Sequence, residues 1–323
     1  MAYENLPWIE KYRPKLLNEI ISQSESINIL NNTIKTGELP HLLLYGGPGT
    51  GKTSSIIALC NQLFGSKINE RMIELNASDE RGINIIRTKI IPFAKTAIGD
   101  KDKRVLCPDY KIIILDEADA MTKEAQSALR KVMEDTTSIT RFCFICNYIN
   151  QIIEPINSRC VKIRFKPIEN TLIKQKLKEI SLNEQIKLDD SALNSLVEIA
   201  NGDLRKGILL LQNVKYINKE IINDKDIYEH SKYISQEKYD QYINFLKTKK
   251  YNIMDLIKSI KSDGYTFQSI LNRTVISISK LNIDDKLKNN FMFCLSDIDK
   301  KINDGADEDI QLIKLFIEIN NLL

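Results

Sequence analysis

No apolar run in this 323-residue chain is long enough to span a bilayer. The opening stretch MAYENLPWIEKYRP has neither the apolar core nor the small-residue cleavage site of a secretion signal. The expectation is an intracellular protein with no membrane partner. Histidine is nearly missing, with only His41 and His230, and the six cysteines (Cys60, Cys107, Cys143, Cys146, Cys160 and Cys294) are scattered. Cys143 and Cys146 make a single C-x-x-C inside RFCFICNYI, which reads as a buried strand. Residues three apart on a strand point to opposite faces, so the pair does not suit one metal ion. Zinc and redox chemistry are set aside, and the thiols are taken as apolar filler. An excess of one charge is also lacking: 46 Lys and Arg against 43 Asp and Glu leave +3. Composition therefore does not indicate a nucleic-acid partner, and any basic surface must be local.

What remains is an ordinary globular composition, 43% apolar and 28% charged, on a chain long enough for two or three domains. Up to about position 166, short apolar runs alternate with helical patterns. HLLLYG, RMIELNAS, YKIIILDEAD, TRFCFICN and VKIRFK are rich in β-branched or aromatic residues and bounded by turn formers. KTSSIIALCNQLFG, GINIIRTKIIPFAKTA and TKEAQSALRKVMED between them have helical spacing. This β–α–β rhythm implies an α/β domain over 1–166, a parallel sheet covered on both faces. From Pro167 the strand signals stop. Three amphipathic helices read as a small domain over 167–226, and the motif-free helical text over 227–323 as a third, all-helical domain.

GGPGTGKT, Gly46 to Thr53, fits the phosphate-loop pattern G-x-x-x-x-G-K-[ST]. Gly46, Gly47, Gly49 and Gly51 let the backbone turn its N–H groups toward one anion, with Pro48 and Thr50 between them. The helix that opens at Lys52, Thr53 and Ser54 points its positive end at the same place. Lys52 supplies a cation for the β- and γ-phosphates of ATP, and Thr53 a hydroxyl for Mg²⁺. LDEAD ends the strand KIIIL and delivers Asp116 and Glu117 to its carboxyl edge, where open α/β sheets bind ligands. Asp116 suits Mg²⁺, and Glu117 suits a general base for the attacking water.

The order of these motifs resembles the AAA+ ATPases, and among them the small subunits of replication factor C, the sliding-clamp loader. The likeness rests on LPWIEKYRP at 6–14, ELNASDERGI at 74–83, LDEADAMT at 115–122, AQSALRKVME at 125–134, FICNY at 144–148, SRC at 158–160 and GDLRKGI at 202–208. CPDYKIIILDEAD with ICNY looks most similar to the p37-type small subunit. The resemblance implies that Asn147 is the sensor that orients water. It implies that Arg159 is a finger reaching ATP held by a neighbouring subunit, and that Arg205 is a second sensor on a helical lid. Ile9 and Arg13 are implied on the adenine side, and Asn76 as a polar switch on Glu117. Arg81, Arg87 and Lys89, with Lys123 as a further candidate, are implied to track the backbone of primer–template DNA. The segment 86–93 would face the sliding clamp, although Pro92 is expected to break its helix. Gly47 stands where the family usually has proline.

The function these features imply is ATP-dependent clamp loading in a hetero-pentamer with other clamp-loader subunits. The nucleus is the implied location, or a viral replication factory if the source is a large DNA virus. Two alternatives share the nucleotide machinery: a ring subunit that binds nucleotide with little hydrolysis, and another AAA+ DNA motor such as a branch-migration helicase. The retained Lys52, Glu117, Asn147, Arg159 and Arg205 speak against the first, and the absence of an evident winged-helix end against the second. A DEAD-box helicase would need a second strand-rich domain after Pro167, which the sequence lacks.

Overall fold

The computed structural model describes residues 6–79, 82–99, 105, 107–217, 219–247 and 253–322. The chain divides into two units, Met1–Lys187 with Leu196–Asn218, and Leu188–Ser195 with Lys219–Leu323.

The first unit is built on five strands: β1 (Leu42–Gly46), β2 (Met72–Asn76), β3 (Lys111–Asp116), β4 (Thr140–Cys146) and β5 (Val161–Phe165). They pair in parallel in the order β2-β3-β4-β1-β5. Parallel pairing demands crossovers, and helices Lys52–Phe64 and Lys123–Thr136 lie in two of them. β3 and β4 are buried along almost their whole length and β1 over Leu42, Leu43 and Leu44, which explains their continuous apolar text. Alternate strand residues feed two different cores. Leu42, Leu44, Ile112, Ile114 and Cys143 pack with helix Lys52–Phe64 on one face, and Leu43, Ile113, Leu115, Phe144 and Cys146 pack with helix Lys123–Thr136 on the other. Cys143 and Cys146 therefore point to opposite faces. Among the described residues no group of three potential ligands gathers for a metal ion.

The sheet order brings the carboxyl ends of β1, β3 and β4 side by side, so the phosphate loop, Asp116 and Asn147 meet at one edge. Thr122 caps helix Lys123–Thr136 by accepting a hydrogen bond from Ala125 N–H at 3.2 Å. One expectation is overturned between β2 and β3: Pro92 does not end the helix, whose turns run from Ile83 to Lys95. Proline has no N–H to give the carbonyl four residues back, and its ring crowds that carbonyl. The turn Ile86–Ile90 widens to a π-helix, with Ile91 N–H donating to the carbonyl of Ile86, and Pro92 then sits in the first turn of Ile91–Lys95. Helix Ser24–Thr36 starts without a side-chain cap, its N-cap being Gln23, and three asparagines dilute its apolar period.

Helices Asn170–Asn183 and Leu204–Val214 complete the first unit. The second unit is helical from Asp224 onward. Tyr239, Leu256, Ile270, Leu295 and Phe316 meet in its core, so much of the apolar face of its last helix, Glu308–Leu322, is core. No helix among the described residues is long and apolar enough to cross a membrane.

Candidate nucleotide-binding site

A cavity at the carboxyl edge of the sheet is lined by Pro48 to Ser54 of the phosphate loop, Asp116 and Glu117 after β3, and Asn147 after β4. Arg205 on helix Leu204–Val214 and Ile9 and Arg13 near the amino terminus line it as well. All belong to the first unit.

The loop winds through positive φ at Gly46, Gly49 and Gly51. Glycine is required at two of these for space as well as conformation. A β-carbon on Gly46 would lie 2.1 Å from the carbonyl oxygen of Phe165, and one on Gly49 1.6 Å from Asp203 Oδ1. Gly47 is different, with nothing within 4 Å of its β-carbon position. The loop is folded around Lys52, whose ammonium donates to the carbonyls of Gly46 and Gly47, both at 2.8 Å, and to Asn147 Oδ1 at 3.0 Å. Lys52 is only 7% exposed, and burial pulls its pKa below the ordinary lysine value, partly offset by the nearby Asp116. A buried cation with three neutral acceptors is a site that gains from an incoming anion.

Thr53 Oγ1 donates to Asp116 Oδ2 at 2.7 Å, which places the two residues of the expected metal pair in direct contact. A hydroxyl beside a carboxylate at the mouth of a phosphate loop is an all-oxygen donor set that fits Mg²⁺. Glu117 follows with φ 52, a left-handed conformation that a non-glycine residue adopts only under constraint. Its N–H donates to Asp116 Oδ1 at 2.8 Å, which ties the turn to that carboxylate. Asn76 pairs with Asp116 across β2 and β3, but its Oδ1 accepts from the N–H and hydroxyl of Ser78, both at 2.9 Å.

Several expected residues are not among those lining the cavity, Arg159, Arg87, Lys89 and Lys123 among them. Arg159 donates to Glu134 Oε1 and to the carbonyl of Pro155, both at 2.7 Å, with Arg130 sharing the same Glu134 oxygen at 3.1 Å. Lys123, Arg87 and Lys89 are exposed, the last two on the π turn, whereas Arg81 lies outside the described residues. Sequence reasoning missed Asp119, whose carboxylate accepts from the N–H groups of Asn147 and Tyr148, both at 3.0 Å. It also missed Gln126, buried behind the same turn. Gln126 Nε2 donates to the carbonyl of Gln151 at 3.1 Å, and its Oε1 accepts from Ile153 N–H at 2.8 Å. Tyr12 and Lys176 also line the cavity; Tyr12 lies within the LPWIEKYRP motif without having been singled out, and Lys176 belongs to no motif.

Comparison with known proteins agrees with this geometry. Residues 42–168 match the ATPase family associated with various cellular activities (AAA), 175–215 the RCF1/5-like AAA+ ATPase lid domain, and 222–318 the replication factor C C-terminal domain. Replication factor C subunit 2 of Schizosaccharomyces pombe is 41% identical over 99% of this chain and 95% of its own length. Human replication factor C subunit 4 is 41% identical over 96% of this chain and 86% of its own. A putative replication factor C small subunit of Acanthamoeba polyphaga mimivirus is 37% identical over 99% and 98%. Among solved structures, Thermotoga maritima RuvB, a Holliday junction branch migration motor, shares the fold with a TM-score of 0.55 at 19% identity, over 77% of this chain and 85% of that one. Near-complete coverage at this identity, together with the three family regions in order along the chain, leaves one conclusion: it is a member of the replication factor C small-subunit family, the AAA+ clamp-loader ATPases.

Proposed function

We propose that this chain binds ATP in the cavity above the phosphate loop and hydrolyses it only when a neighbouring subunit completes the site. The observation that carries this reading is a division. Lys52, Thr53, Asp116, Glu117, Asn147 and Arg205 meet at one edge, while Arg159 is held elsewhere on Glu134. Lys52 exchanges its neutral acceptors for the β- and γ-phosphates. Thr53 and Asp116 hold Mg²⁺, which when bound draws charge from the same phosphates. Glu117 accepts the proton of the attacking water and Asn147 orients it, while Arg205 reports occupancy to the lid. Ile9 and Arg13 flank the adenine. Arg159 acts on the neighbour's nucleotide, where a guanidinium neutralises the charge that develops on the transferred phosphoryl group.

In this reading the chain is one member of a hetero-pentamer, and the helical unit over 227–323 supplies its collar. The segments 1–166 and 167–226 act as nucleotide domain and lid. Arg81, Arg87, Lys89 and Lys123 contact primer–template DNA through its backbone, so binding is sequence-independent and weakens with salt. The segment 86–93, on which Arg87, Thr88 and Lys89 are exposed, faces the sliding clamp. The working location is the nucleus, or a replication factory if the source is a large virus, and the mimivirus relative keeps that second setting open.

The test is reconstitution with partner subunits, measuring clamp- and DNA-stimulated ATPase for wild type, Glu117→Gln and Arg159→Ala. Glu117→Gln is expected to bind ATP but lose turnover at its own site, and Arg159→Ala to lose turnover at the neighbouring site. Unchanged turnover with Arg159→Ala overturns the division of the site. A fully active monomer indifferent to clamp and DNA overturns the assembly.

A further inference from the structure

The amino-terminal segment enters the cavity on a helix of four residues, Trp8–Lys11. A single turn has no stability of its own, so other contacts must fix where Ile9 and Arg13 stand. Those contacts converge on Glu184, which follows helix Asn170–Asn183 and is 6% exposed at its side chain. One carboxylate oxygen pairs with the Lys11 ammonium and accepts from Tyr12 Oη at 2.8 Å. The other accepts from Lys215 Nζ at 2.9 Å. Lys215 also stands over the ring of Trp8, the chain's one tryptophan, at 5.3 Å. The backbone N–H of Trp8 donates to Gln212 Oε1 at 3.1 Å, on the same helix that carries Arg205. Burial alone would raise the Glu184 pKa, but hydrogen bonds from Lys11, Lys215 and Tyr12 prevail and bring it to about 2. Its charge is therefore kept throughout the physiological range.

We infer that Glu184 is a positioning residue for nucleotide binding, clasping the amino-terminal segment to the lid helices so that Ile9 and Arg13 move with Arg205. This rests on the proposed placement of adenine against Ile9 and Arg13. The clasp belongs to the base end of the nucleotide, because none of its hydrogen bonds reaches the phosphate loop. Without the carboxylate, Lys11 and Lys215 confront each other with no anion between them, and the short helix loses its anchor.

The experiment uses the full chain with Glu184→Gln, near-isosteric and neutral, and titrates ATP and inorganic tripolyphosphate calorimetrically while recording tryptophan emission. Tripolyphosphate presents the phosphate chain without the base. ATP affinity is expected to fall roughly tenfold, in line with the loss of one charged hydrogen-bond hub. Tripolyphosphate affinity is expected to stay at the wild-type value, which also shows the phosphate loop intact, and Trp8 emission to shift to the red. Equal losses for both ligands would make Glu184 a residue of general stability and overturn the inference, as would unchanged ATP affinity. A wild-type chain that binds tripolyphosphate but gains nothing from the adenosine would overturn it through the adenine placement, leaving the phosphate-loop reading intact. Wild-type chain that binds neither ligand would instead sink the ATPase reading on which both depend.

Discussion

Asp119 holds Asn147 by its backbone: one carboxylate oxygen accepts the N–H groups of both Asn147 and Tyr148 at 3.0 Å, just where β4 gives way to its turn. Asn147 Oδ1 in turn faces the Lys52 ammonium. The last acidic residue of LDEAD thus fixes a neighbouring strand end. Asp119→Ala in the reconstituted complex is expected to lower turnover about tenfold or more, since two hydrogen bonds to a charged acceptor are lost. ATP affinity should stay within about twofold, because misplacing Asn147, proposed to orient water, leaves the phosphate contacts alone. If affinity falls as far as turnover, Asp119 merely supports the fold.

Gln126 is almost fully buried and joins three backbone groups, the carbonyls of Met121 and Gln151 and the N–H of Ile153. Gln126→Leu keeps the volume and strands all three. The expected cost is about 2–3 kcal/mol of unfolding free energy. Chemical denaturation measures it, and a midpoint equal to wild type would refute the account.

His41 lies at the opposite end of the sheet and serves stability. Its Nδ1 accepts from Phe142 N–H at 3.1 Å, and burial, aided by the Arg141 charge, lowers its pKa from 6.5 to about 4. The folded chain binds this proton less readily than the unfolded chain does. Its contribution is therefore complete above pH 6.5 and is lost as pH falls from there toward 4. His41→Gln, whose amide oxygen can accept the same N–H, should flatten the decline in melting temperature across that window. An identical pH profile for variant and wild type would rule His41 out as its source.

Neighbouring glycines of the phosphate loop should respond in opposite directions. Gly47→Ala meets no atom within 4 Å and needs no left-handed backbone, so it is expected to stabilise by about 0.4–1 kcal/mol by restricting the unfolded chain. Gly49→Ala drives a methyl into Asp203, at φ 63, and should destabilise while weakening ATP binding. Melting curves of the two variants decide the matter, and a destabilised Gly47→Ala would show a constraint at that position other than space.

The sheet and the phosphate loop were readable because their signals are local. A strand announces itself by β-branched runs, and GGPGTGKT carries its geometry in eight consecutive residues. The residues that hold the site in shape were not readable, because their partners are distant. Asp119 and Asn147 stand 28 positions apart, and Lys11 and Glu184 stand 173 apart. Lys111 gives no local signal either: it opens β3 and is buried, its ammonium capping the carbonyls of Phe93 and Thr96. The expectation that Pro92 breaks the helix assumes a regular α-turn, and a single widened turn removes the conflict.

The pair between Arg159 and Glu134 has a consequence for how a ring would form. The guanidinium and carboxylate are both exposed, and water screens such a pair so that it holds only weakly. Glu134 is thus a placeholder: it gives Arg159 a defined resting direction while charging little for its release. On the proposed reading, a polyphosphate on an adjoining chain, bearing several negative charges in a site sheltered from water, would displace one exposed carboxylate. Docking would then be an exchange of partners in which no bare cation has to be carried into the interface.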